Sequence, residues 1–116
     1  MNLGMSPWIE FDEKTLEKVP ESLGVFLLAR GEGNIAYVGR ADDNLRMTLC
    51  GFQGKVYTHF CFVRLPWTKE AFEMQCRLYH HEGGKRRLDN TEHPMGPSPK
   101  MNMCLINAIP LGLCDV

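Results

Sequence analysis

Residues 24–40 read GVFLLARGEGNIAYVGR, and this stretch decides the fold. Its two apolar runs, at 24–30 and 34–40, flank a short segment with two glycines, which is the pattern of a β-hairpin with a glycine-containing loop. The second run ends with Tyr37, soon followed by a glycine and an arginine. The sequence therefore places the Tyr37 phenol and the Arg40 guanidinium at the mouth of the hairpin. Between them lies Gly39, a backbone position where little other than glycine fits.

Helices and one further strand are predicted around this hairpin. Residues 8–20 predict a short first helix with Asp12 as its N-cap, and the aspartates in residues 41–43 open and cap a second helix. Aromatic and β-branched residues favour a third strand over 56–65, and a third helix is predicted over 69–81. This order predicts an α+β domain with a small antiparallel three-stranded sheet flanked by helices.

The composition indicates a single globular domain. The chain has 116 residues, of which 44% are hydrophobic, so it can bury one core. No apolar run is long enough to span a bilayer, and the N-terminus lacks a secretion signal. The five cysteines are an odd number without a CxxC pair, which favours reduced thiols. We therefore expect a cytoplasmic protein with no membrane partner; the sequence does not indicate its oligomeric state.

The charge pattern allows a nucleic-acid partner only through a local patch. The net charge is −1, whereas phosphate neutralisation by cations supplies most non-specific affinity for nucleic acids. The densest cationic run is Lys85, Arg86 and Arg87. This run is either a phosphate-binding patch or a solvated turn.

The third helix presents one polar residue on its apolar side. At about 100° per residue an apolar arc forms; its members are Ala71, Phe72, Leu78 and Tyr79. Gln75 falls at the centre of this arc, whereas Glu73 falls outside it. Gln75 is therefore either a core glutamine with satisfied hydrogen bonds or part of a polar site between helix and sheet.

The hairpin residues resemble the GIY-YIG nuclease domain. The residues that carry this likeness are GVF at 24–26 and YVG at 37–39, with the helix beginning at Glu70 as further support. The resemblance covers about residues 19–90 and leaves 91–116 as a loop-rich extension, whose apolar tail at 103–113 is expected to pack back as an edge strand.

The resemblance implies an endonuclease that cuts phosphodiester bonds with one divalent metal. In that family a tyrosine helps to activate water, an arginine stabilises the phosphate and a helix glutamate holds the metal, which fits the need for charge neutralisation and an acidified water. Tyr37 matches the second motif, but Phe26 replaces the tyrosine of the first. The arginine slot falls on Thr48, near Arg46, and the glutamate slot falls on Gln75.

We therefore name candidate residues for a metal-dependent endonuclease, with DNA favoured over RNA as substrate. The candidate catalytic residues are Tyr37, Arg40, Arg46, Gln75 and Asn90. The candidate nucleic-acid contacts are Arg40, Lys85, Arg86 and Arg87. Glu73 is the candidate ligand for Mg²⁺ or Mn²⁺, whose preference is for oxygen. The alternative is a catalytically inactive GIY-YIG-like module that binds nucleic acid or protein.

A zinc site is the remaining alternative. Cys76 and His80 are four residues apart on the predicted third helix, a spacing that can bind zinc. Further ligands would come from residues that no paired motif marks: Cys61, His81, His93, Cys104 or Cys114. Zinc is therefore not expected from the sequence.

Overall fold

The computed structural model describes residues 4–116. Its strands are β1 (Ile9–Glu10), β2 (Gly24–Ala29), β3 (Ile35–Ala41) and β4 (His59–Arg64). Its α-helices are α1 (Glu13–Leu16), α2 (Leu45–Cys50) and α3 (Thr68–His81), and two 3₁₀ turns follow at Gly84–Arg86 and Leu111–Leu113. No helix in the described part of the chain has both the length and the apolar character needed to cross a membrane.

The sheet has four antiparallel strands in the order β1-β4-β2-β3, so the prediction of a three-stranded sheet was wrong. The missed strand is β1, in which Ile9 pairs with Phe60 of β4. Two residues are too few for an alternating pattern, and this strand exists because β4 offers it a free edge. The predicted first helix is correspondingly only one turn long, although Asp12 does cap it in a capping box with Thr15.

Strand β2 forms the centre of the domain. It pairs with β3 on one side and β4 on the other, and all six of its residues are buried. One face packs Phe26 and Leu28 against Leu45 and Leu49 of α2, and the other packs Val25 and Leu27 against α3. Helices on both faces explain why this strand reads as a continuous apolar run.

The close approach at the hairpin mouth involves Gly39. Gly39 lies opposite Phe26 in the β2–β3 register, and a Cβ added at Gly39 would lie 2.1 Å from Cζ of the Phe26 ring. The phenyl ring therefore occupies the space that a side chain at position 39 would need. The following helix starts later than predicted, because Asn44 rather than either aspartate supplies the cap to the Met47 amide.

The tail after α3 does not add a strand to the sheet. Apart from the 3₁₀ turns, its described residues form only an isolated bridge between Met103 and Pro110. Cys104 and Cys114 of this tail are buried with Cys76 of α3 in a small cluster of their own. The contacts of this proline-containing segment with the domain thus include a sulfur cluster, the bond from Arg40 to the Met95 carbonyl oxygen and the bond from the Tyr79 hydroxyl to the Val116 carbonyl oxygen.

Candidate functional site

Tyr37 projects from β3 into a group of aromatic rings. Its ring centroid lies 4.9 Å from that of Phe52 and 6.2 Å from that of Phe26, with which it is stacked. Burial raises the pKa of the Tyr37 phenol. The hydroxyl therefore stays protonated at neutral pH and can act as a hydrogen-bond donor rather than as an ionised base.

A cavity of about 370 Å³ lies beside Tyr37. It is lined by Tyr37, Gln75, Asp89, Asn90, Thr91, Glu92, His93 and Pro94. This lining includes two carboxylic acids and neither lysine nor arginine. The cavity is therefore polar but not attractive to a phosphate group.

Asn90 fastens the loop after α3 to strand β3. Its Oδ1 accepts a hydrogen bond from the Val38 amide at 3.0 Å, and its Nδ2 donates to the Val38 carbonyl oxygen at 2.8 Å. The neighbouring Asp89 amide donates to the Ala36 carbonyl oxygen at 2.6 Å. Asn90 is buried and satisfies a backbone position that would otherwise lack a partner. It is therefore a positioning residue.

Gln75 of α3 and Arg40 of β3 form a hydrogen bond between the helix and the sheet. Arg40 donates from Nη1 to Oε1 of Gln75 at 3.0 Å and to the Met95 carbonyl oxygen at 2.6 Å. Its Nε lies 2.7 Å from Oδ1 of Asp42, and only 11% of its side chain is exposed. The helical-wheel prediction of Gln75 as inward-facing is confirmed. The guanidinium is committed to three protein acceptors, so a phosphate would have to displace one of them.

Arg46 and Glu73 are not brought to the cavity beside Tyr37. Arg46 donates from Nε to the Val19 carbonyl oxygen and from Nη1 to Glu21, both at 2.8 Å. Glu73 lines a different cavity, together with Lys69 and Lys100. The predicted carboxylate and the predicted second arginine are thus separate from the predicted tyrosine.

A second polar group at the cavity was missed by sequence reasoning. The Tyr57 hydroxyl donates to Oδ2 of Asp89 at 2.8 Å, and Arg30 forms an ion pair with the same carboxylate. Burial, followed by the hydrogen bond to Asp89, raises the pKa of Tyr57 to about 12. No sequence signal links these three residues, because they are far apart in the chain and meet only through the sheet.

The cationic run forms a short, well-anchored turn. Lys85 and Arg86 lie in the 3₁₀ turn after α3, and the Lys85 amide donates to the Tyr79 hydroxyl at 3.1 Å. The stem of Arg87 lies across Gly83, whose added Cβ would meet Arg87 Cδ at 2.5 Å. Within residues 4–116 none of these three cations has an ion-pair partner. Their side chains are exposed on a backbone that the core holds in place.

Four potential metal ligands converge where α3, the following loop and the tail meet. They are Cys76, His80, His93 and Cys104, and their ligand atoms all lie within 4.8 Å of one another. The cofactor prediction of Mg²⁺ or Mn²⁺ without zinc was therefore wrong, because thiols and imidazoles are ligands for zinc rather than for magnesium. The i, i+4 pair was visible in the sequence, whereas His93 and Cys104 were two of five further candidates that no motif spacing distinguished.

Burial and mutual proximity alter the ionisation of this cluster. Burial, and then the neighbouring His93, lower the pKa of His80, while burial raises the pKa of Cys76 to about 11. Burial also opposes ionisation of Cys104, but hydrogen bonds led by the Asn107 amide outweigh it and lower the pKa of that thiol. Burial thus opposes the charged forms of His80 and Cys76, whereas hydrogen bonds favour the thiolate of Cys104 and so lower its pKa.

Fold and site together define an α+β domain with a cavity beside a tyrosine and an adjoining two-cysteine, two-histidine cluster that shares His93 with it. A family model described as a domain of unknown function (DUF7508) matches residues 1–72, more than half of the chain, so the chain belongs to that family. The matched range includes the hairpin and ends before Gln75 and the four clustered ligands. No curated protein and no solved structure matches the chain.

Proposed function

We propose that this protein is a GIY-YIG-like domain that binds nucleic acid without cutting it. The observation that carries the proposal is the exposed cationic turn formed by Lys85, Arg86 and Arg87, whose charges lack ion-pair partners in the described chain. Unpaired cations on a fixed backbone can neutralise phosphates and release counterions at a low ordering cost. Because the net charge is only −1, such a patch is not opposed by a strongly acidic surface.

The likeness of the hairpin motifs to the GIY-YIG family supports a nucleic acid as the partner. Lys85 lines a cavity of about 660 Å³ that shares Thr91, Glu92 and His93 with the cavity beside Tyr37. The cationic turn and the face that resembles a nuclease site therefore adjoin.

The absence of cutting is supported by what occupies the reactive positions. Phe26 lacks the hydroxyl of the first-motif tyrosine, and Gln75 offers an amide that is already hydrogen-bonded to Arg40. Tyr37 has a raised pKa and no lysine or arginine beside it in its cavity. Hydrolysis needs charge neutralisation at the phosphate and a base for the water, and the described residues bring together neither at Tyr37.

Fluorescence anisotropy with labelled DNA and RNA oligonucleotides of one sequence, single-stranded and duplex, tests the binding. A parallel incubation with supercoiled plasmid in magnesium or manganese tests for cutting. We expect salt-sensitive binding to at least one oligonucleotide and no nicking by the pure protein. Failure to bind any of them at low salt would overturn the proposal, and so would nicking that the Tyr37→Phe variant loses.

A further inference from the structure

The ligand cluster has the dimensions of a tetrahedral zinc site. Bond lengths of about 2.3 Å to sulfur and about 2.0–2.1 Å to nitrogen give tetrahedral edges of about 3.8 Å between sulfurs, 3.6 Å between sulfur and nitrogen, and 3.3 Å between nitrogens. The structure has 3.9 Å between the sulfurs of Cys76 and Cys104, and 3.1 Å between the Nε2 atoms of His80 and His93. Of the four sulfur–nitrogen edges, that from Cys76 to His93 is 3.9 Å and that from Cys104 to His80 is 3.2 Å, and the other two are no longer than 4.8 Å.

The hydrogen bonds around the cluster orient its ligand atoms inward. Nδ1 of His93 lies 2.8 Å from the carbonyl oxygen of Pro94, which can only accept, so Nδ1 carries the proton. The other ring nitrogen, Nε2, faces the other three ligands, as it does in zinc proteins whose histidines donate their other ring N–H to a carbonyl. The Asn107 amide donates to the Cys104 sulfur at 3.4 Å, an arrangement that stabilises a thiolate.

The site would join three parts of the chain that lie outside the sheet. Cys76 and His80 lie one turn apart on α3, His93 lies in the next loop and Cys104 lies in the tail. The tail adds no strand to the sheet, and its contacts with α3 combine the cysteine cluster with a hydrogen bond from the Tyr79 hydroxyl to the Val116 carbonyl oxygen. Small or poorly cored segments are commonly held by a structural metal, and the free energy of metal binding then becomes folding free energy.

We propose that Cys76, His80, His93 and Cys104 bind one zinc ion that fixes the loop and the tail to α3. Two thiolates and two imidazoles complete the coordination shell, so the ion is structural and has no open position for a substrate. Its binding releases the thiol protons to solvent, and no electron transfer is involved. Since His93 and Pro94 also line the cavity beside Tyr37, the ion would hold one wall of that cavity. This inference does not depend on nucleic-acid binding.

Cys114 provides a matched control. It is buried, and its sulfur lies 3.8 Å from Nε2 of His80, but it accepts a hydrogen bond from Nδ2 of Asn107 and is not one of the four mutually close ligands. Cys114→Ser should therefore retain the metal, whereas Cys104→Ser should lose it. The two variants remove the same atom from the same small cluster, so they separate loss of a ligand from loss of packing.

The test is the metal content of the protein purified without added metal, measured by inductively coupled plasma mass spectrometry. We expect about one zinc per chain in the wild type and in Cys114→Ser, and a loss of at least tenfold in Cys104→Ser and His93→Ala. Should these variants fail to fold, cobalt(II) replacement in the wild type still decides, because thiolate-to-cobalt charge transfer and tetrahedral d–d bands report this ligand set. Substoichiometric zinc in the wild type together with an octahedral cobalt spectrum would overturn the inference, as would zinc loss in Cys114→Ser but not in Cys104→Ser.

Discussion

Nη1 of Arg40 donates a hydrogen bond of 3.0 Å to Oε1 of Gln75, which joins strand β3 to helix α3. The same guanidinium also reaches Asp42 and the Met95 carbonyl oxygen. An amide oxygen is a sufficient acceptor for a buried guanidinium that already has one carboxylate partner. The pair therefore connects strand, helix and loop, and it supports the interpretation of this face as structural.

Removal of the Gln75 amide should destabilise the fold. Gln75→Ala leaves one Arg40 N–H without its acceptor in a largely buried site, so we expect a loss of about 1–3 kcal/mol in the free energy of unfolding. Urea denaturation followed by circular dichroism measures this loss. The matched control on the same helix is Glu73→Ala, which should change stability by less than about 0.5 kcal/mol, because no described residue pairs with Glu73. Equal effects of the two substitutions would contradict the pairing.

Asn90 should contribute more to the stability of the fold than a loop residue usually does. Asn90→Ala removes two hydrogen bonds to Val38 and leaves buried backbone groups unsatisfied, so we expect a cost of about 2–4 kcal/mol. Hydrogen exchange of the Val38 amide should accelerate by more than that of Leu27 in the central strand. The exposed Asn102 is the control, and its change to alanine should leave both quantities unaltered. An unprotected Val38 amide in the wild type would show that the contact is absent in solution.

Gly39 should not tolerate a methyl group. A Cβ at this position would lie 2.1 Å from the Phe26 ring, so Gly39→Ala must displace a fully buried side chain, at a cost of at least about 1–3 kcal/mol. Gly112→Ala is the control because nothing lies within 4 Å of its added Cβ. The comparison is of melting temperatures by calorimetry. A Gly39→Ala protein that melts with the wild type would mean that Phe26 does not occupy this space.

The tyrosines should ionise at a higher pH in the folded protein than in the unfolded chain. Burial raises the pKa of Tyr37, Tyr57 and Tyr79 above the ordinary 10.0, and that of Tyr57 reaches about 12. A tyrosine whose pKa is higher in the folded than in the unfolded state contributes to the free energy of unfolding. For Tyr57 this contribution is fully present below pH 10 and is lost as the pH rises toward 12. Tyrosinate absorbance should therefore rise only above pH 10 in native protein but near 10 in urea. A phenol that ionises below 10 in the native state would contradict these environments.

The sequence was sufficient for the features that depend on local pattern. The hairpin, α3 and the inward position of Gln75 follow from periodicity and glycine placement, and the structure confirms each of them. Strand β1 was missed because its two residues acquire their conformation from pairing with β4. Zinc was not expected because only Cys76 and His80 have ligand spacing along the chain. Their partners His93 and Cys104 reach them through a loop and a tail whose path no local pattern encodes.

The proposed cationic contact has a quantitative signature. A triple variant with Lys85→Glu, Arg86→Glu and Arg87→Glu should lose up to three phosphate contacts. For each lost contact, the slope of log affinity against log salt concentration should become shallower by about 0.7–0.9. The control reverses three exposed lysines elsewhere, Lys14, Lys18 and Lys55, with the same change in net charge. This control isolates position from total charge.

The most direct test of the account is therefore the salt dependence of oligonucleotide binding for the wild type and these two triple variants, measured by anisotropy. We expect the slope to become shallower by about 2–3 in the Lys85, Arg86 and Arg87 variant and by less than one in the control. Identical slopes and affinities in the two triple variants would contradict the claim that this turn binds nucleic acid.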